Sequence, residues 1–196
     1  LRQKRDEIAF QLAKGEFAEF LAEPDLNVVY FDEAGFSLKG VVPYGWQTIG
    51  ERYEIPVTGA YGSNLQTLGF QGQDRETHMY VHKGYVNSEM VISIFDDYCQ
   101  TLEGPAVVVL DNASVHKSAA FQARLEVWAE HKLFIYYLPP YSPELNAIEC
   151  FWKKLKYQLL PAEAWARFSG LLETLTKTLN EFGEVSYMPS LFSYAE

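Results

Sequence analysis

Three acidic residues stand where chemistry could use them. Asp32 closes the run Val28-Val29-Tyr30-Phe31-Asp32, Asp111 closes Val107-Val108-Val109-Leu110-Asp111, and Glu149 ends the stretch Ser142-Pro143-Glu144-Leu145-Asn146-Ala147-Ile148-Glu149. An acid at the end of a very apolar strand sits at the sheet edge, where open α/β sheets build their sites. Taken singly, each has an ordinary reading: an Asp that starts a turn, or a Glu149–Lys153 pair on a solvated helix face worth only about 0.3–0.5 kcal/mol. Taken together they pose a problem of charge. Converging carboxylates repel at roughly 4 kcal/mol for each pair about 4 Å apart in an effective dielectric near 20. Such a cluster needs cations, and oxygen ligands select hard divalent ions, Mg²⁺ or Mn²⁺. Two such ions a few ångströms apart can clamp the attacking and leaving oxygens of a phosphoryl transfer. If repulsion dominates, neutralising any one acid costs no stability in metal-free buffer.

Other chemistries find less support. Cys99 and Cys150 form no CxxC, which argues against a disulfide scaffold or zinc finger and suits a reducing compartment, with a cytoplasmic, nucleoid-associated location expected. His78 and His82 could share one face of a strand, but no HExxH accompanies them. The 16 basic and 26 acidic residues give a net charge of −10, so bulk charge does not hold nucleic acid. A site made of carboxylates remains compatible with that balance. No apolar run approaches the roughly 20 residues that span a bilayer, and no membrane partner is expected. The chain starts at Leu1 and is read as part of a longer protein.

The elements that must position the acids follow from periodicity. Residues 3–21 read as an amphipathic helix with Ile8, Leu12, Phe17, Phe20 and Leu21 on its apolar face. Asn27–Asp32 and Ala106–Asp111 read as buried strands, because both are near-continuous apolar runs. Glu33–Ser63 is rich in Gly and reads as hairpins or a long loop. Leu65–Phe70 and Thr77–Val81 read as strands joined by the polar turn Gln71–Glu76, followed by a helix over Ser88–Leu102. A helix over Ser118–His131 and a strand over Leu133–Leu138 come next. Ser142–Leu160 reads as one helix, with Ser142 at its cap and Pro143 at its first position. On that helix Leu145, Ile148, Trp152, Leu155 and Leu159 form an apolar stripe and Glu149 borders it. A last helix covers about 163–182, ended by Gly183. This order predicts one mixed sheet flanked by α-helices, an α/β fold.

The blocks Phe31-Asp32-Glu33-Ala34-Gly35-Phe36, Leu110-Asp111-Asn112-Ala113-Ser114-Val115-His116 and Leu138-Pro139-Pro140-Tyr141-Ser142-Pro143-Glu144-Leu145-Asn146-Ala147-Ile148-Glu149 resemble the three acidic motifs of DDE transposases. The likeness is to the insertion-sequence (IS630) branch of the Tc1/mariner superfamily, and the third block, followed by Phe151-Trp152-Lys153-Lys154-Leu155-Lys156, carries it furthest. The resemblance implies an RNase H-like fold in which Asp32, Asp111 and Glu149 hold two Mg²⁺ ions, with Mn²⁺ able to substitute. It implies cleavage of DNA at transposon ends and joining of the freed 3′-hydroxyl to target DNA. It also implies an upstream helix-turn-helix region that recognises the ends, and it leaves room for a homodimer. Glu33 is set aside as a ligand because adjacent strand residues face opposite sides. The expected organisation is an N-terminal helix and linker (1–26), the catalytic core (27–160), and a C-terminal helix and tail packed on it (161–196). Two rivals stand beside this reading: a related metal-dependent nuclease that cuts without joining, and a domesticated, non-catalytic DNA-binding or assembly protein.

Secondary candidates surround the acids. Asn112 and His116 follow Asp111 on an expected loop, where either could touch DNA or orient a metal-bound water. Asn146 could position Glu149 or contact DNA. Lys153, Lys154 and Lys156 form a dense basic run suited to phosphate contacts, or simply a solvated helix face. Trp46 could stack on a base or pack a hairpin. The aromatic tail Tyr187–Phe192 is expected to dock on its own domain or on a partner subunit.

Overall fold

The structure, a computed structural model, describes residues 5–38, 48–51 and 64–188. Trp46 and residues 189–192 of the aromatic tail lie outside the described residues. The chain runs α1 (Glu7–Ala22), β1 (Asn27–Ser37), β2 (Asn64–Gln71), β3 (Thr77–Lys83), α2 (Ser88–Thr101), β4 (Ala106–Leu110), α3 (Ala119–Gln122), α4 (Leu125–Glu130), β5 (Leu133–Tyr137), α5 (Ile148–Lys154), α6 (Phe168–Leu179) and β6 (Gly183–Met188). The strands form one sheet in the order β5-β4-β1-β2-β3-β6. β1 pairs with β4, and β4 with β5, in parallel. β2 and β3 are neighbours joined by a short turn, which only antiparallel strands allow. The sheet is therefore mixed, as the order of elements predicts. No described helix is long and apolar enough to cross a membrane.

The described residues fall into two compact units, one within 1–32, 69–78 and 86–149, the other within 33–68, 79–85 and 150–196. In the first unit, strand alternation sorts the core into two layers. On one face Val28, Val107, Val109 and Leu138 pack with Phe17 of α1, and Tyr30, Tyr136, Phe20 and Leu145 close the edges. The opposite face holds an aromatic stack: Phe95 of α2 lies 4.7 Å from Phe31, 5.0 Å from Phe70, 5.3 Å from Phe121 and 5.1 Å from Trp128, centroid to centroid. Asp96 pins α2 to this stack by accepting from Trp128 Nε1 at 2.7 Å and Arg124 at 2.6 Å. In the second unit α6 buries Leu171, Leu175 and Leu179, and Trp165 stacks on Phe36 at 6.2 Å.

Six elements depart from expectation. α1 starts at Glu7, where Asp6 caps it by accepting from the Ile8 and Ala9 amides. Of the stripe read from sequence it buries Phe17, together with Ala13, and leaves Ile8, Leu12 and Leu21 exposed, because Phe17 is drawn against Tyr30 and Tyr136. The strand ending at Asp32 continues to Ser37, so β1 carries the chain through the first acid. The helix expected over Ser118–His131 is two short helices, separated at Ala123 and Arg124. The helix expected over Ser142–Leu160 is also interrupted. Pro143–Leu145 forms a single 3₁₀ turn, Asn146 is extended (φ −106°, ψ 97°), and α5 begins only at Ile148. Ser142 makes no capping bond; its hydroxyl donates to Pro140 O. Residues Leu155–Leu159 then close as a π turn, with Leu160 N–H bonded to Leu155 O at 3.1 Å. The last helix is broken at extended Arg167 (φ −152°, ψ 151°). Gly183, expected only as a stop, opens the unforeseen strand β6, which takes up Tyr187 and Met188 of the tail.

Candidate active site

The first two acids are placed by strand register. The β1–β4 ladder runs from Asn27 opposite Ala106 to Tyr30 opposite Val109. Asp32 and Asp111 each lie two residues beyond its last pair, on neighbouring parallel strands. Alternation puts both on the face that Val28, Tyr30, Val107 and Val109 share. Leu138 N–H bonds to Leu110 O at 2.9 Å, extending the β4–β5 pairing to the point where the third segment departs. The chain thus leaves β4 at Asp111 and leaves β5 for the segment leading to Glu149, whereas β1 carries on through Asp32 to Ser37.

That third segment walls a cleft of about 490 Å³, lined by Asp111, Asn112, Pro139, Tyr141 and Glu149 among others. Pro139 and Pro140 lead into Tyr141, whose backbone is left-handed at φ 59°, an unusual conformation for a bulky side chain. Asn112 anchors the turn by donating from Nδ2 to Leu138 O. Glu149 N–H bonds to Asn146 O at 3.2 Å, and Asn146 Nδ2 donates to Phe31 O at 3.3 Å.

The carboxylates differ in their electrostatics. The Asp111 carboxyl is held below its usual range, first by a hydrogen bond from His116, then by the Ala113 N–H and nearby positive charge, against the opposing pull of burial. His116 Nδ1 lies 3.1 Å from Asp111 Oδ1, and because a carboxylate only accepts, His116 donates. Its ring is 2 % exposed and edge-on to Phe31 at 5.7 Å, while its carbonyl accepts from Tyr137 OH at 2.9 Å and Gln122 Nε2 at 2.8 Å. Glu149 is pushed above its usual range, first by burial, then by the charges of Asp111 and Glu144. Asp111 therefore takes the negative charge first, and Glu149 ionises against it.

Among the described residues no three His, Cys, Asp or Glu side chains stand close enough to ligate one ion as they are. Asp111 and Glu149 line one cleft, and Asp32 stands two residues past the β1–β4 ladder. The sequence candidates around them divide sharply. His116 and Asn146 are each 2 % exposed, so neither presents a face to a duplex as a DNA contact. Asn112 is committed to Leu138. Lys156 is half-buried with Nζ 5.2 Å over the Phe36 ring, whereas Lys153 and Lys154 are exposed, Lys154 Nζ lying 6.0 Å over Phe182. His78 packs edge-on to Tyr98, and His82 Nδ1 lies 3.4 Å from Met188 O. Sequence reasoning missed Gln122 and Tyr137, which hold His116 from behind; nothing in their local pattern marks them.

The family model described as DDE superfamily endonuclease matches residues 27–171, the span that contains all three acids. The chain belongs to the DDE superfamily endonucleases. No curated protein sequence matches it. Among solved structures, this DDE endonuclease domain is similar to the Mos1 mariner paired end complex with Mn, with 15% identity and a TM-score of 0.52 over 94% of this chain and 63% of that one. The Mos1 transposase paired-end complex with left transposon end matches at 14% identity and a TM-score of 0.51, over 90% of this chain and 61% of that one. The Mos1 strand transfer complex matches at 15% identity and a TM-score of 0.50, over 92% and 61%. At such identities the likeness is one of fold, and it is the RNase H-like mixed sheet that the motif resemblance implies. The DDE domain spans roughly three fifths of the length of these relatives.

Proposed function

We propose that this chain is the catalytic domain of a transposase of the Tc1/mariner type, which cuts DNA at transposon ends and joins the freed 3′-hydroxyl to target DNA. One observation carries the reading. Asp32 and Asp111 each stand two residues past the last β1–β4 pair, on neighbouring parallel strands, and Glu149 lines the same cleft as Asp111. The donor set is carboxylate oxygen, which suits Mg²⁺ or Mn²⁺. Burial, with the charges of Asp111 and Glu144 added, lifts Glu149, and a bound divalent cation would favour its ionised form. Asp32, Asp111 and Glu149 are the residues that would hold two such ions. When bound, these ions would activate the attacking oxygen and offset charge on the leaving one.

The chain's own residues supply position. His116 fixes one oxygen of Asp111 and leaves the other for the cleft. The left-handed turn at Tyr141 and the prolines before it give the cleft a stiff wall. In the cutting step a water oxygen bonds to phosphorus, the P–O3′ bond breaks, and a 5′-phosphate and a 3′-hydroxyl result. In joining, that hydroxyl attacks a target phosphodiester and displaces a new 3′-hydroxyl. With a net charge of −10, the domain leaves recognition of the ends to another part of the protein.

The test is incubation of the full-length protein with terminal-repeat DNA and Mg²⁺ or Mn²⁺, scored for nicked and joined products. Both products are expected with either ion, and Asp32→Asn, Asp111→Asn or Glu149→Gln each abolishes them. Nicking without joining of pre-cut ends would establish a nuclease instead. Full activity in any of the three variants would remove that residue from the site.

A further inference from the structure

We propose that Asn146 is a positioning residue that sets the separation of Asp32 and Glu149 by bonding to the backbone beside each of them. This rests on the metal-dependent reading above and adds a residue to it. The side chain is 2 % exposed, and a buried amide needs a partner. It finds one in Phe31 O, 3.3 Å from Nδ2, on the residue directly before Asp32. The Asn146 carbonyl accepts from Glu149 N–H at 3.2 Å, in the first turn of α5. One residue therefore holds the backbone at both outer acids.

The anchor it uses is rigid. Phe31 is fully buried, with its ring 4.8 Å from Phe70 and 4.7 Å from Phe95. The segment it restrains is irregular: three prolines, a left-handed tyrosine and a single 3₁₀ turn, ended where Asn146 N–H bonds to Pro143 O at 2.9 Å. Asn146 also has an extended backbone, and this break in the helix lets its side chain reach back to β1 while α5 starts two residues later.

The chemistry selects this residue type. Phe31 O can only accept, so the partner must donate. Aspartate would press a buried carboxylate against a carbonyl, leucine would fill the space with no donor, and glutamine keeps the donor on a side chain one methylene longer. An indirect support of a metal ligand is typically worth about 10–100-fold in metal affinity.

The experiment measures Mn²⁺ binding by the metal-free chain, followed by electron paramagnetic resonance without DNA, for wild type, Asn146→Leu, Asn146→Asp and Asn146→Gln. Leu171→Ala, a fully buried site in α6, serves as a control for general destabilisation. We expect Mn²⁺ affinity to fall about 10–100-fold in the Leu and Asp variants and to recover in part with Gln. In cleavage assays kcat should drop with KM for DNA unchanged. Leu171→Ala should keep its Mn²⁺ affinity despite a lower Tm. Should the Leu or Asp variant fail to fold, the Gln variant decides, since its longer reach still predicts a weaker site. Wild-type affinity in the folded Asn146 variants, or an equal loss in the control, overturns the proposal alone. Absence of Mn²⁺ binding by wild type overturns the metal reading and the proposal with it.

Discussion

Removing the His116 ring tests whether the second acid is held by packing, by a hydrogen bond, or by both. The ring is buried between Phe31 and Phe121, each 5.7 Å away, so His116→Ala leaves a cavity in the aromatic layer. Truncating a buried side chain of this size costs about 2–4 kcal/mol. The bond to Asp111 adds less than the 1.5–3 kcal/mol of a buried charged bond, because the Asp111 side chain is 58% exposed and water replaces the lost donor. A contribution of about 1 kcal/mol is reasonable, giving a total of about 3–5 kcal/mol. At about 2–4 °C for each kcal/mol in a chain this long, Tm should fall by about 6–20 °C.

A double-mutant cycle separates the two parts. Urea unfolding in EDTA of His116→Ala, Asp111→Ala and the double variant should show a coupling of about 1 kcal/mol at neutral pH. The sign of its pH dependence follows from the lowered Asp111 carboxyl. A depressed folded-state value means the stabilisation is complete above the ordinary Asp value of about 3.9 and is lost as pH falls through the lower folded value. The coupling should therefore persist at pH 5 and disappear in strong acid. A loss under about 1 kcal/mol for His116→Ala would refute the packing argument, and zero coupling at neutral pH would refute the hydrogen bond. Asp111→Ala is then destabilising in metal-free buffer, contrary to the expectation from repulsion alone.

Glu149 should behave in the opposite way. Its raised carboxyl means that the ionised form subtracts stability at neutral pH, so Glu149→Gln should gain a few tenths of a kcal/mol in metal-free melts at pH 7, and the gain should fade below the ordinary Glu value of about 4.3. Phe95→Ala opens the centre of a five-ring cluster and should cost about 3–5 kcal/mol in urea unfolding; a loss below about 1.5 kcal/mol would mean the stack collapses to fill the gap.

The halves of this site differ in how far local sequence reveals them. Val28–Phe31 and Val107–Leu110 are legible as buried parallel strands because both faces are covered and no polar residue interrupts the run. Their final acids then follow, and so does the DDE assignment that the third block supports. The support around the acids was harder to see. Ser142 and Pro143 carry the signals of a helix start, yet the chain makes only a 3₁₀ turn there. Asn146 spends its side chain on Phe31, 115 residues away, and Leu145, counted in the helix stripe, joins the Phe17 layer instead. His116 lies in a polar stretch that reads as a loop, but its burial depends on Phe31, Phe121, Gln122 and Tyr137, none of them its neighbours in sequence. Periodicity reports which face of an element is apolar; it says nothing of which distant carbonyl a buried amide or imidazole will meet. Acids that follow apolar runs therefore stand in plain view along the chain, while the residues bonded around them emerge only once the strands are paired.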